Sequence, residues 1–168
     1  MSVEYVRGDL LTLEVEAIAH VVNCLCVRPH GLSLTIAQRY PESDVYGRRR
    51  SQGGRNLAVY PDRGTPGTIV TYYSHHKYIV SLLAQWDYGT AHQRHKRHIP
   101  PYRDTREERT QWFRECLEAL GDLEVNTIAF PYKMGCNLGG QPWPLYEELI
   151  GQFARQTGKR VLIVQKVG

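Results

Sequence analysis

The sequence predicts a single α/β domain with a mixed central sheet, and three observations lead to that prediction. The chain has 168 residues, which fits one compact domain, so residues 1–168 are taken as one unit. Stretches with strand character alternate along the chain with stretches of helical spacing. The short polar turn Ser74-His75-His76-Lys77 joins two strand-like stretches, which indicates a hairpin and therefore a sheet that is not purely parallel.

The first half of the chain predicts two strands and a helix. Residues 4–6 form a short strand that ends in the turn Arg7-Gly8-Asp9. Residues 17–22 are nearly continuous in small and β-branched side chains, a composition typical of a strand buried on both faces. A helix over residues 32–40 follows, because its apolar side chains recur at helical spacing until a proline stops the pattern.

The second half continues this alternation. Thr105 and Glu108 have the spacing of a capping box, and the helix that they begin ends near Gly121. Its apolar stripe consists of Trp112, Phe113, Cys116, Leu117 and Leu120. The other predicted elements are strands over residues 68–73, 78–85, 127–132 and 160–165 and a helix over residues 144–156.

Composition narrows the class of protein. No apolar run approaches the ~20 residues of a membrane span, and the N-terminus lacks the pattern of a secretory signal. We therefore expect a soluble intracellular monomer, in the cytoplasm or nucleus, without a membrane partner. The four cysteines show no regular spacing and are expected to be reduced thiols. The net charge of +4 is modest and favours an anionic ligand.

Two junctions between a strand and a helix carry unusual residues. One runs from Asn23 to Gly31, and the other runs over residues 134–140. Ligands of α/β sheets bind at the carboxyl ends of strands, where the free N–H groups of helix N-termini attract phosphate. The second junction has three glycines within six residues, which lets backbone amides approach a diphosphate. An ordinary flexible turn explains these glycines equally well.

Three motifs together resemble the macrodomain family, and the resemblance covers nearly the whole chain. Gly8-Asp9-Leu10 matches the family's opening Gly-Asp-Ile turn. Residues 15–23, VEAIAHVVN, match its V-D-A-I-V-N-A-A-N strand, and residues 127–143 look like its I-x-x-P-x-I-G-C-G-L-x-x-x-x-W signature. That form of the signature is typical of the branch with ADP-ribose-1''-phosphate phosphatases and terminal ADP-ribose-protein glycohydrolases. The resemblance implies a three-layer α/β/α fold that binds ADP-ribose without a cofactor.

The resemblance also implies roles for individual residues. Asp9 would accept a hydrogen bond from the adenine amino group, and Leu10 would offer its backbone nearby. Asn23 would bind the distal ribose, and Gly31 and the glycine loop would hold the diphosphate and distal ribose through backbone N–H groups. The loop residues concerned are Met134, Gly135, Cys136, Asn137, Leu138 and Gly139. Each of the two polar side chains also has an alternative role that involves no ligand. Asp9 would then stabilise a turn, and Asn23 would end the strand by bonding its own backbone.

The chain departs from the family at three places. Pro29 and His30 stand where most members have two glycines of a Gly-Gly-Gly stretch. Gly139 takes the place of the acid that terminal glycohydrolases carry, and the strand end Leu83-Ala84-Gln85-Trp86 offers no counterpart of their catalytic lysine. A covalent mechanism based on lysine is therefore not expected, and the spacing of His20 and Asn23 is closer to that of the phosphatases.

His30 is the first candidate for an acid or base, because it lies in the loop that would cover the distal ribose. His20 is the second, although residues three apart in a regular strand face opposite sides, so His20 shares a site with Asn23 only across a bulge. Arg28 is a candidate for pairing with a phosphate on the distal ribose. Asp87 ends a strand near the same rim. For His30, Arg28 and Asp87 the alternative is a solvated loop side chain. For His20 it is a core histidine whose hydrogen bonds are satisfied within the protein.

Two basic stretches have other interpretations. His92, His95 and His98 have a three-residue spacing, but the neighbouring cations Arg94, Lys96 and Arg97 argue against a metal site. The same stretch, together with residues 48–50, has the charge of a nucleic-acid-binding patch, although aromatic residues are few in both. We favour a solvated basic loop and predict no metal.

The predicted function is binding of ADP-ribose and hydrolysis of a derivative at its distal ribose. ADP-ribose 1''-phosphate, which gives ADP-ribose and phosphate, is the favoured substrate, with Asn23, His30 and His20 as candidate catalytic residues. The alternatives are a non-catalytic reader of ADP-ribose or of ADP-ribosylated protein, a hydrolase of ADP-ribosylated protein, and, less favoured, a nucleic-acid-binding module.

Overall fold

The computed structural model describes residues 3–91, 97–136 and 139–167, and within these ranges six strands form one sheet. The strands, with their bounds, are β1 Val3–Arg7, β2 Ala17–Asn23, β3 Ile69–Ser74, β4 Lys77–Gln85, β5 Thr127–Pro131 and β6 Arg160–Gln165. The helices are α1 Leu32–Arg39, α2 Arg106–Gly121 and α3 Trp143–Thr157. These bounds agree with the sequence predictions to within about one residue at each end.

The sheet is mixed, as predicted. Its strand order is β1-β6-β5-β2-β4-β3. The first five strands in this order pair in parallel, whereas β3 pairs with β4 in the antiparallel direction through the hairpin at Ser74 and Lys77. The carboxyl ends of five strands therefore meet along one edge of the sheet.

Helices cover both faces of the sheet, which confirms the α/β/α layers. Ala17 and Ala19 of β2 lie in a core cluster with apolar residues of α2 and α3, whereas Ile18 between them lies in a second cluster with Ile36 of α1. Alternate residues of a strand point to opposite faces. β2 is therefore buried on both faces, as its composition predicts.

The predicted start of α2 is also confirmed. The Thr105 Oγ1 accepts a hydrogen bond from the Glu108 backbone N–H at 3.1 Å, which satisfies one free donor of the first turn. The stripe residues predicted for this helix are buried. Phe113 stacks on Tyr146 of α3 with ring centroids 4.3 Å apart, so the two helices pack through aromatic contact.

Residues 47–64, which we call the arginine-rich segment, form part of the long connection between α1 and β3 and had no predicted structure. The segment packs on the loop after β2. The Ala58 N–H donates to the Leu25 carbonyl at 2.7 Å, and the Gly64 N–H donates to the Cys24 carbonyl at 2.9 Å. It thereby fixes the backbone of one of the two junctions singled out in the sequence.

All four cysteines are free thiols. Among the described residues, no helix is both long and apolar enough to cross a membrane.

Candidate functional site

The parallel strands bring the two predicted junctions to the same edge of the sheet. β2 lies between β5 and β4, so the loop after β2 and the glycine loop after β5 are neighbours. The turn after β1 lies two strands beyond β5 on the same edge. Ligands of α/β proteins bind at this edge, so the candidate site is defined here by these three loops.

Asp9 is exposed in the turn after β1. Its Oδ1 accepts a hydrogen bond from the Leu11 N–H at 3.0 Å, so one carboxylate oxygen stabilises the turn, as the turn-residue alternative predicted. The Oδ2 makes no hydrogen bond to the described residues and can accept from a ligand. Leu10 is 7% exposed and packs in the core with Val15 and Ile18, which anchors the turn.

Asn23 is buried at the end of β2, and its side chain bonds its own loop. The Oδ1 accepts from the Leu25 N–H at 3.2 Å and from the Cys26 N–H at 2.9 Å. The Asn23 backbone N–H in turn donates to the Tyr46 hydroxyl at 2.9 Å. The amide oxygen is therefore committed to the loop, and the Nδ2 group is the part of this side chain left for a distal ribose.

The loop after β2 is held by contacts along its length. Besides the bonds from the arginine-rich segment, the buried Arg49 donates to the Cys26 carbonyl at 2.8 Å. Arg28 donates through Nη2 to the Gly54 carbonyl at 3.1 Å, so its guanidinium is partly committed. His30 is exposed, and Gly31 has φ 57° at the start of α1. The loop thus presents one exposed imidazole a few residues after the part of its backbone that these contacts hold.

His20 lies apart from Asn23. The register shift between β2 and β4 places Val22 opposite Leu83 and Asn23 opposite Gln85, so the extra residue belongs to β4. β2 therefore keeps its alternation, and His20 faces α1, with Nδ1 3.4 Å from the Ser33 Oγ. The bulge that a shared site requires is thus present beside Asn23, but its extra residue lies in β4 and leaves His20 on the side of α1. The catalytic role of His20 stays a prediction.

Burial decides the protonation state of His20. His20 is 5% exposed, and its Nε2 has no hydrogen-bond partner among the described residues. Burial lowers the pKa of His20 to about 4, because the charged form loses its hydration. His20 is therefore neutral at pH 7.

The glycine loop after β5 is packed closely against the end of β4. A Cβ on Gly139 would lie 2.4 Å from the Gly135 carbonyl oxygen and 2.6 Å from the Gln85 Nε2. Gly135 itself has φ 71°, in the region that favours glycine. Met134 is buried and Cys136 is half-buried, whereas Asn137 and Leu138 lie outside the described residues. Burial raises the pKa of the Cys136 thiol to about 12, so this loop offers no thiolate nucleophile.

Asp87 does not stand free at the rim. It is 2% exposed and forms a two-point ion pair with Arg97, with Nε–Oδ2 and Nη2–Oδ1 distances of 2.9 Å. A third Arg97 bond reaches the Asn56 carbonyl at 2.9 Å. Asp87 thus joins the loop after β4 to the arginine-rich segment.

Arg109, the residue that sequence reasoning missed, is fully buried in α2. Its guanidinium bonds Asp104 and also donates to the carbonyls of Gly89 at 2.7 Å and Gly139 at 3.3 Å. Arg109 therefore ties the glycine loop to the loop after β4. The sequence could have indicated this burial, because Arg109 precedes Trp112, Phe113 and Cys116 of the apolar stripe by three, four and seven residues. Residues at these spacings share one face of a helix, so Arg109 occupies the buried face.

The histidine-rich stretch is only partly described. His92, His95, Arg94 and Lys96 lie outside the described residues. Within the described part of the chain, no group of three or more histidine, cysteine or acidic side chains could hold a metal ion.

Comparison with known proteins identifies the fold. No protein-family model matches the chain, and no curated protein sequence matches it either. Among solved structures, the macrodomain of Mycobacterium tuberculosis DarG is similar with a TM-score of 0.68 and 20% identity, over 99% of this chain and 98% of that chain. The macrodomain of Thermus aquaticus DarG gives a TM-score of 0.64 and 22% identity, over 98% of each chain.

A third similar structure contains a nucleotide ligand. It is the Trypanosoma brucei macrodomain in complex with ADP-ribose, with a TM-score of 0.61 and 12% identity, over 98% of this chain and 63% of that chain. At such identities the likeness establishes the fold alone. The chain has the macrodomain fold, as the sequence motifs predicted.

Proposed function

We propose that the carboxyl edge of the sheet binds ADP-ribose. The observation that carries this proposal is the close packing of the glycine loop, in which Gly139 lies too near Gly135 and Gln85 for any Cβ. Such packing keeps side chains away from this part of the loop and leaves the backbone as its binding surface. The macrodomain fold, which the T. brucei protein uses to bind ADP-ribose, supports the same ligand here.

In this proposal the three loops contact different parts of the ligand. The free Oδ2 of Asp9 accepts from the adenine amino group beside the Leu10 backbone. Backbone N–H groups of the glycine loop and of Gly31 at the start of α1 hold the diphosphate, and the Asn23 Nδ2 donates to a distal ribose hydroxyl. Each role follows the family pattern residue by residue, and Asn137 and Leu138 belong to the glycine loop by sequence.

A second proposal is that the site hydrolyses ADP-ribose 1''-phosphate. The observation that favours it is the exposed His30, which follows a loop backbone that the arginine-rich segment holds as far as Val27. Water attacks the phosphorus, the bond from phosphorus to the ribose 1''-oxygen breaks, and ADP-ribose and phosphate leave. His30 protonates the leaving oxygen or takes the proton of the attacking water. Arg28, which has donors left besides its bond to Gly54, offsets the charge of the ester.

A non-catalytic reader is the alternative to this hydrolysis. Binding needs only Asp9 and the backbone amides, whereas turnover needs an acid or base positioned at the phosphate. Asp87 is paired with Arg97, and His20 faces α1, so His30 is the candidate with an exposed ring. Hydrolysis of ADP-ribosylated protein by a lysine-based covalent mechanism is disfavoured, because Gln85 stands at the strand end where that branch carries lysine.

Titration calorimetry with ADP-ribose, ADP and adenosine tests the binding proposal. We expect micromolar affinity for ADP-ribose, about −8 kcal/mol, with weaker binding of ADP and weaker still of adenosine. No heat with millimolar ADP-ribose would refute it. Release of phosphate from ADP-ribose 1''-phosphate then decides between hydrolase and reader, because a reader binds ADP-ribose equally well and releases none.

A further inference from the structure

The strand β3 forms one edge of the sheet, and within the described ranges no strand pairs with its outer side. Its six residues, IVTYYS, include no charged side chain and no proline. Natural proteins usually protect an edge with charges or proline, because unpaired backbone groups bind other strands. β1 at the opposite edge follows this rule, since it carries Glu4 and Arg7. Of the two edges, β3 is therefore the one suited to pair with another chain.

The hydrogen-bond register identifies the residues of β3 whose backbone faces outward. The Leu83 N–H donates to the Thr68 carbonyl at 3.0 Å, and hydrogen-bonded residues alternate along an antiparallel pair. Alternate residues from Thr68 onward therefore bond to β4. The residues between them direct their N–H and C=O groups outward, namely Ile69, Thr71 and Tyr73. The close contact of Tyr73 with Tyr78, with ring centroids 4.7 Å apart, agrees with this register, because opposite side chains are closer at non-hydrogen-bonded positions.

The three outward residues form a self-complementary edge with Thr71 at its centre. In an antiparallel pair of two copies, a two-fold axis through Thr71 would place Ile69 of one copy opposite Tyr73 of the other. Every outward N–H and C=O group of these residues then has a partner. About six backbone hydrogen bonds would join the copies, compared with about ten direct bonds in a typical protein interface.

The side chains along this edge fit the same pairing. Thr71 is exposed, Tyr73 is 54% exposed, and both lie on the same face of β3 as Ile69. Ile69 opposite Tyr73 is a pair of a β-branched and an aromatic side chain, which stabilises neighbouring strands. Since residues 69–74 carry no charge, no like charges would meet across the axis.

Opposite charges would meet just beyond the two ends of the paired strands. In this register His75 of one copy comes opposite Gly67 of the other. The Glu115 side chain lies over Gly67, with its Oε1 2.8 Å from the position that a Cβ would take there. His75 is exposed, and its Nδ1 lies 2.7 Å from the Ser74 Oγ, which leaves Nε2 to donate to this carboxylate. A second copy therefore matches the edge in charge as well as in hydrogen bonding.

We propose that the protein forms a symmetric dimer in which two β3 strands pair antiparallel about Thr71. The two six-stranded sheets then become one continuous sheet. A closed two-fold contact of this kind uses the same residues on both copies and leaves no further β3 edge exposed. This dimer replaces the monomer that composition led us to expect. It is independent of whether the candidate site binds ADP-ribose, because β3 contributes none of the three loops of that site.

Sedimentation velocity over a wide range of protein concentration tests this proposal. We expect a reversible equilibrium between monomer and dimer. Thr71→Lys should raise the dissociation constant of the dimer by at least about fivefold, because two like charges then face each other on the axis. Thr71→Glu should do the same. An equal mixture of the two variants should recover the dimer, because lysine then faces glutamate.

Gln156→Lys is the matched control, since Gln156 is exposed on α3 and this variant adds the same charge away from β3. It should dimerise as the unmodified protein does, and circular dichroism should show all variants folded. A protein that stays monomeric at every concentration would overturn the proposal, and so would a dimer that Thr71→Lys does not weaken. Failure of the mixed variants to recover the dimer would exclude an axis at Thr71.

Discussion

The Arg109 guanidinium is fully buried and forms a two-point ion pair with Asp104, with Nε–Oδ1 and Nη2–Oδ2 distances of 2.7 and 2.8 Å. Asp104 also accepts from the Asp87 N–H at 3.0 Å. The pair therefore joins the start of α2, the loop after β4 and, through the Gly139 carbonyl, the glycine loop. A charged pair inside the domain thus positions two of the loops at the candidate site.

The first prediction concerns this pair. Arg109→Met leaves the Asp104 carboxylate buried without its partner, so we expect the free energy of unfolding to fall by about 3–5 kcal/mol. The double variant Arg109→Met/Asp104→Leu should recover part of this loss, because no unpaired charge remains. Urea denaturation measures both, and Arg114→Met on the exposed face of α2 is the control, expected within about 0.5 kcal/mol of the unmodified protein. If Arg109→Met lowered the free energy of unfolding by less than about 1 kcal/mol, the ion pair would not be needed for stability.

The second prediction follows from the buried His20. Its pKa is lowered to about 4 in the folded protein from the ordinary histidine value of 6.5, so between these pH values the unfolded chain binds more protons. Stability therefore falls as the pH drops from about 6.5 to about 4, by up to about 3 kcal/mol from this group. The difference in unfolding free energy between the unmodified protein and His20→Leu, measured against pH, isolates the effect. A constant difference over this range would contradict it.

Sequence patterns identified the elements and the edge of the sheet at which the site lies, because the strands and helices here obey simple periodicities. They could not show how polar side chains share hydrogen bonds. Asn23 occupies the predicted position at the end of β2, yet its oxygen is used by Leu25 and Cys26. Arg109 was missed because a charged residue on an apolar stripe is interpreted as an interruption until its partner Asp104 is known. The sequence analysis named a bulge next to Asn23 only as the condition for a site shared with His20. The extra residue of that bulge lies in β4, which only the pairing register of the two strands reveals.

The third prediction concerns the close packing of Gly139. Gly139→Ala places a methyl group 2.4 Å from the Gly135 carbonyl oxygen and 2.6 Å from the Gln85 Nε2. Both distances are shorter than van der Waals contact, so the glycine loop must shift. We expect ADP-ribose affinity to fall at least tenfold while adenosine affinity changes little, since adenosine has no diphosphate. Calorimetry with both ligands measures the ratio. Gly151→Ala in α3 is the matched control, because only the flexible end of Arg155 lies near its Cβ. Unchanged ADP-ribose affinity in a folded Gly139→Ala would mean that the loop is an ordinary turn.

The fourth prediction separates the two oxygens of Asp9. Asp9→Ala removes both the bond to the Leu11 N–H and the acceptor for adenine, and we expect ADP-ribose binding to weaken by about 1–3 kcal/mol. Asp9→Asn keeps an oxygen for Leu11 but replaces the free carboxylate oxygen with an amide donor. If the adenine contact matters, Asp9→Asn should bind as poorly as Asp9→Ala while unfolding at the unmodified temperature. Full affinity of Asp9→Asn in calorimetry would reduce Asp9 to a turn residue.

The last prediction is that His30→Ala slows the release of phosphate from ADP-ribose 1''-phosphate by about 10²–10⁴-fold, the usual contribution of a general acid or base. The affinity for ADP-ribose should change little, because His30 acts on the ester and not on the diphosphate. His30 is exposed on the loop that also contains Arg28, and just before His30 that loop is bonded to Asn56 through the Val27 N–H and to Gly54 through the Arg28 side chain. His76→Ala, in the turn at the opposite end of β4, is the control for loss of an exposed imidazole. Full activity of His30→Ala would exclude His30, and absence of activity in the unmodified protein, with ADP-ribose still bound, would leave the reader function.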